Sequence, residues 1–320
     1  MRIDPQISTL RGDRASQRSA QEQIETARDD WLRTPSSAAI MEQLTRFSEG
    51  CLLDRLPALK SLMGSAKRAS RFVAEWCDLM VAAAGEQMLS EVPFRYSCSE
   101  GYSAVRLMSA GCASISLLAY DESGDPSEPT SAFFVDRELY EVVIAGSAIG
   151  HCHWIQGDGE RPVTRRSRWQ AGELVETVGA NRSRQITSIA GRLCILQLAR
   201  EKPAASPTRE ISLEDGRVLH VSSGDKSESR TELALAVLGA MQRRDSVPVM
   251  EQVSHSGSPH LRWQAVRQSI ALDPQRGFAL LARLANTSND ELAVPASNLH
   301  AQLAATYPQL LQQESQLCPV

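Results

Sequence analysis

The chain has 320 residues, 42% of them hydrophobic and 22% charged, and its formal net charge at pH 7 is −4. This length and composition are typical of a globular protein with about two domains, and the small negative charge argues against a general attraction to nucleic acid or anionic membranes. No apolar run approaches the roughly 18 to 20 residues of a membrane span, and the first residues lack the apolar core of a signal peptide. The seven cysteines form no Cys-x-x-Cys pair, so we expect a cytoplasmic protein with reduced thiols.

The N-terminal part is predicted to be helical after a short polar arm. Residues 1–18 are polar and charged, which is typical of a disordered arm. Over 19–90 the apolar residues recur at steps of three and four, as from Ile24 to Trp31, and this period predicts helices with one buried face. The longest of these helices is predicted over 66–89.

The central part, residues 93–222, is predicted to form a β domain. It contains about ten short segments that are rich in β-branched residues and divided by Gly, Pro, Asp or Asn. Glycine divides 131–146 from 148–156 and 183–189 from 192–200, so each of these is predicted as a separate strand. No helical insert is long enough for a parallel crossover, and the pattern favours an antiparallel β-sandwich or jelly roll.

The last part, residues 227–311, returns to a helical period and is followed by a polar tail over 312–320. Helices of about 10 to 15 residues alternate with short turns, and Asp273 followed by Pro274 is typical of a helix cap and first helical position. The fold class is therefore predicted as α+β, with N-terminal helices, a central antiparallel β domain and a C-terminal helical domain.

Two C-terminal helices repeat one another. Residues 261–273 align with 292–304, which superposes Ala265 on Ala296, and an aspartate-proline turn follows the first helix. This rhythm resembles the HEAT family of helical repeats. The resemblance implies stacked helical pairs with a surface free for protein or peptide partners. A small helical cap packed on the β domain is the alternative interpretation of the same helices.

The partner surface of this repeat is predicted at the rim of one helix. Trp263, Val266 and Ile270 recur at helical spacing and are interpreted as its buried stripe. Arg262 and Arg267 then lie on the rim, where we expect them to contact a partner.

The stretch "GHCHWIQGDGE", residues 150–160, carries the candidate metal chemistry. Positions i and i+2 of a strand face the same side, so His151 and His153 are expected to point together, with Cys152 and Trp154 on the opposite face. Two such imidazoles are able to share a metal, although a site needs at least a third ligand. If Trp154 instead faces the core, the two histidines face solvent and bind nothing.

Here the sequence resembles the cupin family, whose first motif is a glycine, a His-x-His pair, an acid and a later glycine. The matching residues are Gly146, the His151–His153 pair, Glu160 and Gly172, and His220 is the candidate for the histidine of the second motif. The spacing before the acid is longer than in the family. Asp158 lies closer to the family's position for this acid.

The resemblance implies Fe(II) or another divalent metal held by His151, His153, His220 and either Glu160 or Asp158. It implies an oxygenase or isomerase reaction at the open coordination positions.

The segment from Arg161 to Arg200 carries eight arginines against two acids. Since a guanidinium fork suits carboxylates, Arg165, Arg166 and Arg168 are the candidates for binding an anionic ligand. The low aromatic content of 5% and the absence of any recognised binding motif argue against nucleic acid as the partner. No phosphate-binding glycine motif is present, so no nucleotide cofactor is expected.

Together these observations predict a cytoplasmic accessory or adaptor protein that binds a peptide or protein. The alternative is a cupin-type Fe(II)-dependent oxygenase that modifies a peptide or protein held by the helical domain. The oxygenase requires His220 to meet His151 and His153 inside the β domain with Trp154 outside. The adaptor requires no metal, and the oligomeric state is left open.

Overall fold

The computed structural model describes residues 14–86, 90–122, 128–157, 159–202 and 206–311. The chain divides into two compact units, residues 1–205 with 209–219 and residues 206–208 with 220–320. Its helices and antiparallel sheets give the α+β fold class that the sequence predicts. Among the described residues, no helix combines the length and the apolarity needed to cross a membrane.

The described part of the first unit begins with four α-helices and one short 3₁₀ turn. Its first helix starts inside the segment that the sequence predicts as a disordered arm, while residues 1–13 and the predicted tail over 312–320 lie outside the described residues. Thr34 caps the second helix, because its hydroxyl oxygen accepts from the backbone N–H of Ser37 at 3.4 Å. The elements are α1 (Ala15–Arg33), α2 (Pro35–Ser48), the 3₁₀ turn (Leu53–Arg55), α3 (Pro57–Met63) and α4 (Ala66–Glu86).

Ten strands follow within the described residues, most of them at nearly the positions that the alternation predicts; the segment 131–146, predicted as one strand, is divided between β4 and β5. They form a seven-stranded antiparallel sheet in the order β1-β2-β3-β8-β5-β6, in which β7 also pairs with β5, and a three-stranded sheet in the order β10-β9-β4. The strands are β1 (Tyr96–Ser99), β2 (Tyr102–Ala110), β3 (Ala113–Tyr120), β4 (Ser131–Phe134), β5 (Arg137–Trp154), β6 (Val163–Gln170), β7 (Leu174–Val178), β8 (Arg182–Glu201), β9 (Thr208–Ser212) and β10 (Val218–Ser222).

The two longest strands correct the prediction that glycines divide them. β5 runs through Gly146 and β8 runs through Gly191 without a break. Gly146 has φ +84°, and a Cβ built there would lie 2.0 Å from the carbonyl oxygen of Arg192 on the paired strand. The glycine is therefore needed for a close backbone approach at a register shift rather than for a turn. The uninterrupted β5 pairs with β7 along its first part and with β6 along its last part.

The large sheet has two different faces because successive side chains alternate. The helix face, which includes Val142, Leu196 and Leu198, packs against the N-terminal helices. The opposite face of the sheet carries a smaller apolar cluster that includes Val143, Ile195 and Trp169. We call it the open face.

Arg200 forms hydrogen bonds that connect the N-terminal helical region to the large sheet. Its guanidinium binds both carboxylate oxygens of Glu138 on β5, at 2.7 and 2.8 Å. It also donates to the carbonyl oxygens of Phe47 at 2.6 Å and Cys51 at 3.0 Å, and it lies 4.2 Å from the ring centre of Phe47. Such bidentate, charge-assisted contacts are among the strongest hydrogen bonds in proteins.

As far as residue 311, the second unit is helical after the end of β10, and its described residues form two apolar clusters. Asp273 caps α8 by accepting from the N–H of Arg276 at 3.1 Å, as predicted. Asp225 caps the first helix of the unit, because its carboxylate accepts from the N–H of Ser227 at 2.6 Å. The helices are α5 (Lys226–Ala240), a 3₁₀ turn (Arg244–Ser246), α6 (Val247–Val253), α7 (Pro259–Leu272), α8 (Pro274–Ala285) and α9 (Ala293–Thr306).

Candidate functional site

The two histidines of the His-x-His pair share one face of β5, as predicted, and both are buried. His151 is 5% exposed and His153 is 1% exposed, with ring centres 6.1 Å apart. Cys152 packs with the open-face cluster on the other side of the strand, and Trp154 is half-buried. The alternative in which the histidines face solvent is therefore wrong, because both faces of this part of β5 are covered.

His153 is held by hydrogen bonds at both ring nitrogens. Its Nε2 lies 3.0 Å from Oε1 of Gln185, and its Nδ1 lies 2.8 Å from the hydroxyl of Thr164. Since the amide nitrogen of Gln185 donates to the carbonyl of Ser131 at 2.9 Å, Oε1 of Gln185 has to accept, and Nε2 of His153 has to carry a proton. Nδ1 then accepts from Thr164.

The protonation state of His153 agrees with this pattern. Burial lowers the pKa of His153, the hydrogen bond to Gln185 raises it, and the neighbouring His151 lowers it, with a net decrease. The ring is therefore neutral, with one nitrogen protonated and the other already accepting a hydrogen bond. Neither nitrogen offers a free lone pair to a metal ion.

His151 offers one free nitrogen. Its Nδ1 is buried and has no hydrogen-bond partner among the described residues, whereas its Nε2 lies 3.8 Å from a carboxylate oxygen of the exposed Glu128. A single free nitrogen does not hold a metal, because a site needs at least three protein ligands.

The other predicted ligands do not complete a metal site. Glu160 and His220 are exposed, and Asp158 lies outside the described residues. Over the ranges that the structure describes, no three His, Cys, Asp or Glu side chains are grouped so that they could hold a metal. The residues present do not fit the Fe(II) centre that the cupin resemblance implies.

The three arginines predicted to bind an anion lie on β6 and are exposed. They contribute to the wall of an open groove of about 680 Å³. Arg165 pairs in register with Cys152, whereas Arg166 pairs with His151. Because side chains alternate along a strand, Arg165 lies on the opposite face of β6 from Arg166 and Arg168. Binding of an anionic ligand by these three arginines stays a prediction.

The two predicted partner-binding arginines of α7 differ from each other. Arg262 is half-buried, forms an ion pair with Asp290, and donates from Nε to the carbonyl oxygen of Ser254 at 3.1 Å. It is therefore engaged within the helical unit. Arg267 is exposed.

A polar cluster that the sequence did not reveal lies on the open face of the large sheet. Glu141 on β5 is only 2% exposed and forms an ion pair with Arg184 on β8. Gln197 donates to the same carboxylate at 2.7 Å, and the guanidinium of Arg184 lies 5.5 Å from the ring centre of Trp169. The Nε of Arg184 is buried and has no hydrogen-bond acceptor among the described residues.

Arg184 lines a cavity of about 300 Å³, which we call the arginine pocket. The rings of Tyr102 and Tyr120 lie side by side in its wall, with centres 5.0 Å apart. Arg137 and Arg182 also line it, and within the described ranges their side chains form no ion pair or hydrogen bond. The arginine pocket is defined by Tyr102, Tyr120, Arg137, Arg182, Arg184 and Gln197.

The electrostatics of the arginine pocket favour an anion. Partial removal from water, followed by the neighbouring charge of Arg184, lowers the pKa of Arg137, and the carboxylates of Glu141 and Glu201 offset part of this decrease. Burial also opposes the charge of Arg184, but Glu141 and Tyr120 outweigh it and raise the pKa of Arg184. Burial raises the pKa of Tyr120, so its hydroxyl stays protonated. The three guanidinium groups of the pocket outnumber the two carboxylates, of Glu141 and Glu201, that interact with them. Positive charge and N–H donors therefore stay available for oxygen atoms of a ligand.

The sequence carries only a partial signal for this pocket. The arginine-rich segment 161–200 includes Arg182 and Arg184, but its pattern does not distinguish them from the arginines of β6. Glu141 and Arg184 are 43 positions apart, and only the fold brings them together.

No protein-family model matches the sequence, and no curated protein matches it. Solved structures to which it is similar include the capsular polysaccharide assembling protein CapF from Staphylococcus aureus, at 9% identity over 35% of this chain and 32% of that chain, with a TM-score of 0.28. Another is the 7S globulin of Momordica charantia, at 11% identity over 37% and 35% of the two chains, with a TM-score of 0.27. The cupin domain of Drosophila melanogaster CENP-C matches at 9% identity over 34% and 76%, also with a TM-score of 0.27.

The matched region spans about a third of the CapF chain. A cupin domain is among the similar structures, and the cupin family is the one that the His-x-His motif resembles. At these identities and TM-scores the similarities assign neither a family nor an activity, and the site rests on its own geometry.

Proposed function

We propose that this chain is a binding protein whose arginine pocket recognises a carboxylate group of a partner peptide or protein. The observation that supports the proposal is the buried Nε–H of Arg184, a residue that lines the pocket, which lacks an acceptor among the described residues. A buried donor without a partner costs about 1 to 3 kcal/mol, and a carboxylate oxygen would recover that cost once the Arg184 side chain turns this nitrogen towards the pocket.

The neighbouring side chains support the same ligand chemistry. Arg137 and Arg182 add two guanidinium groups that form no direct ion pair in the described part of the chain, although the carboxylates of Glu141 and Glu201 interact with Arg137 at longer range. Tyr120 and Gln197 add neutral polar groups. This donor set suits recognition of an acidic side chain.

The oxygenase alternative lacks a comparable supporting observation, since the predicted metal ligands are not assembled within the described ranges. The HEAT-like character of the helical unit stays a prediction.

Calorimetry with two capped tripeptides tests the proposal. Acetyl-Gly-Glu-Gly-amide should bind, with an affinity that falls as salt is added. Acetyl-Gly-Gln-Gly-amide should bind at least about tenfold more weakly, because charge-assisted hydrogen bonds contribute about 1.5 to 3 kcal/mol. Arg137→Ala should weaken binding of the glutamate peptide to a similar extent.

Arg68→Ala is the matched control, since Arg68 is an exposed arginine of α4 that lies away from the pocket. Equal binding of the two tripeptides, or an equal loss in the two variants, would overturn the proposal.

A further inference from the structure

The arginine pocket continues along the open face into a second groove. This groove has a volume of about 260 Å³ and shares Tyr102, Leu118, Arg137 and Gln197 with the pocket. A ligand bound in the arginine pocket therefore has a path across the sheet.

A second pair of arginines lies at the far end of this path. Arg106 on β2 and Arg95 just before β1 both line the groove, and the backbone N–H of Arg106 donates to the carbonyl oxygen of Arg95 at 2.8 Å. Their side chains form no ion pair with any residue in the described ranges. The path thus has positive charge at both ends.

The floor between the two ends is made of small side chains. Ala104, Ser114, Ser116 and Ala199 line this part of the groove. Small residues leave room for a main chain to lie against the sheet, and the serine hydroxyls are able to donate to and accept from peptide groups.

The distance between the ends follows from the register of the strands. Arg106 pairs with Ser116, which pairs with Gln197, which in turn pairs with Glu141, and the carboxylate of Glu141 binds Arg184. This row crosses three gaps between strands of about 4.8 Å each, or about 14 Å in all. An extended chain advances about 3.3 Å per residue, so side chains four residues apart are about 13 Å apart.

We infer that the open face binds an extended peptide that crosses the strands and carries two acidic side chains four residues apart. One carboxylate lies in the arginine pocket and the other lies at Arg95 and Arg106. This inference rests on the proposed function and adds the length and the acid spacing of the ligand.

The charges along the groove favour a peptide over a nucleic acid. Glu201 also lines the groove, and a polynucleotide would bring negative charge close to this carboxylate at nearly every nucleotide. A peptide with two separated acids places its charge only at the two ends. The small negative charge of the whole chain, −4, favours the same choice.

Fluorescence anisotropy with three labelled heptapeptides tests the inference. The first carries glutamates at positions 2 and 6, the second carries them at positions 2 and 4, and the third carries only one, at position 2, with glutamine at position 6. We expect the first to bind about tenfold more tightly than the third, since it adds one charge-assisted contact. The second should bind like the third.

Two variants locate the second contact. Arg106→Gln should reduce the affinity for the first peptide to that of the third, while leaving the third unchanged. Arg95→Gln changes an exposed side chain and is the second variant in case the first perturbs folding, which its thermal midpoint reports. Arg68→Gln is the control and should change neither affinity.

Equal affinities for the first and second peptides, or no effect of either groove variant, would overturn the inference while leaving the proposed function intact. Failure of the single-glutamate peptide to bind at all would instead overturn the proposed function. A labelled six-nucleotide oligothymidylate that binds more tightly than the first peptide would overturn the inference by showing that the groove is a nucleic-acid site.

Discussion

The buried ion pair between Glu141 and Arg184 supports a prediction about stability. Replacing Arg184 by methionine keeps much of the side-chain volume and removes the charge. Glu141, which is 2% exposed, then keeps the hydrogen bond from Gln197 but loses its cationic partner. We expect the first unit to be strongly destabilised, because a buried carboxylate would lose its compensation.

The size of the effect follows from the burial of the pair. At an effective dielectric constant of about 20, two unit charges about 3 Å apart attract by about 5 to 6 kcal/mol. Removing one partner of a buried pair typically costs about 3 to 5 kcal/mol. The double variant Glu141→Gln with Arg184→Met leaves neither charge of the pair and should cost much less than the sum of the two single changes.

Urea unfolding followed by tryptophan fluorescence measures these effects. Four of the five tryptophans, Trp31, Trp76, Trp154 and Trp169, belong to the first unit, so this signal reports mainly on its unfolding. A double-mutant cycle gives the coupling between the two residues, and we expect at least about 2 kcal/mol. If the two single changes instead add, the interpretation of the cluster as one buried charge pair is refuted.

Three further predictions concern the histidine pair and the long strands. Burial lowers the pKa of His153, so the folded form stays neutral while the unfolded chain takes up a proton, and the wild-type protein should lose stability as pH falls below about 6.5. His153→Gln should flatten the dependence of the thermal midpoint on pH between about 5 and 8. An unchanged slope would contradict this prediction. Gly146→Ala should lower the free energy of unfolding by more than about 2 kcal/mol, because φ is +84° and the added Cβ meets the carbonyl oxygen of Arg192. Gly172→Ala is the control, since Gly172 also has a positive φ but has open space around it. Equal losses in the two variants would argue against the close approach at Gly146. Adding Fe(II), Mn(II), Ni(II) or Zn(II) should leave the thermal midpoint unchanged, whereas a rise that is lost in a His151→Ala, His153→Ala double variant would show that the histidines bind metal after all.

The strands of the central region could be predicted because their pattern is local. Alternation placed β2 and β6 closely and placed the two histidines on one side of β5. The same pattern could not say which side would be buried, since one side packs with the open-face cluster and the other is covered through Gln185 and Ser131.

The role of Gly146 and the arginine pocket were beyond local reasoning. A glycine within an alternating segment predicts a turn or a bulge equally well, and the choice at Gly146 depends on how close the partner strand comes. The arginine pocket draws on β2, β3, β5 and β8, so its residues meet only once the register of four strands is fixed.

The contacts of Arg200 have a practical consequence for anyone who wishes to isolate the β region. A fragment that starts at residue 93 would lose both carbonyl groups that this guanidinium binds, and it would leave Ile115, Val142 and Leu196 facing water. Such a fragment should aggregate rather than fold. The shortest fragment suitable for expression therefore begins with α1, and the protein used for binding experiments on the open face should include the N-terminal helices.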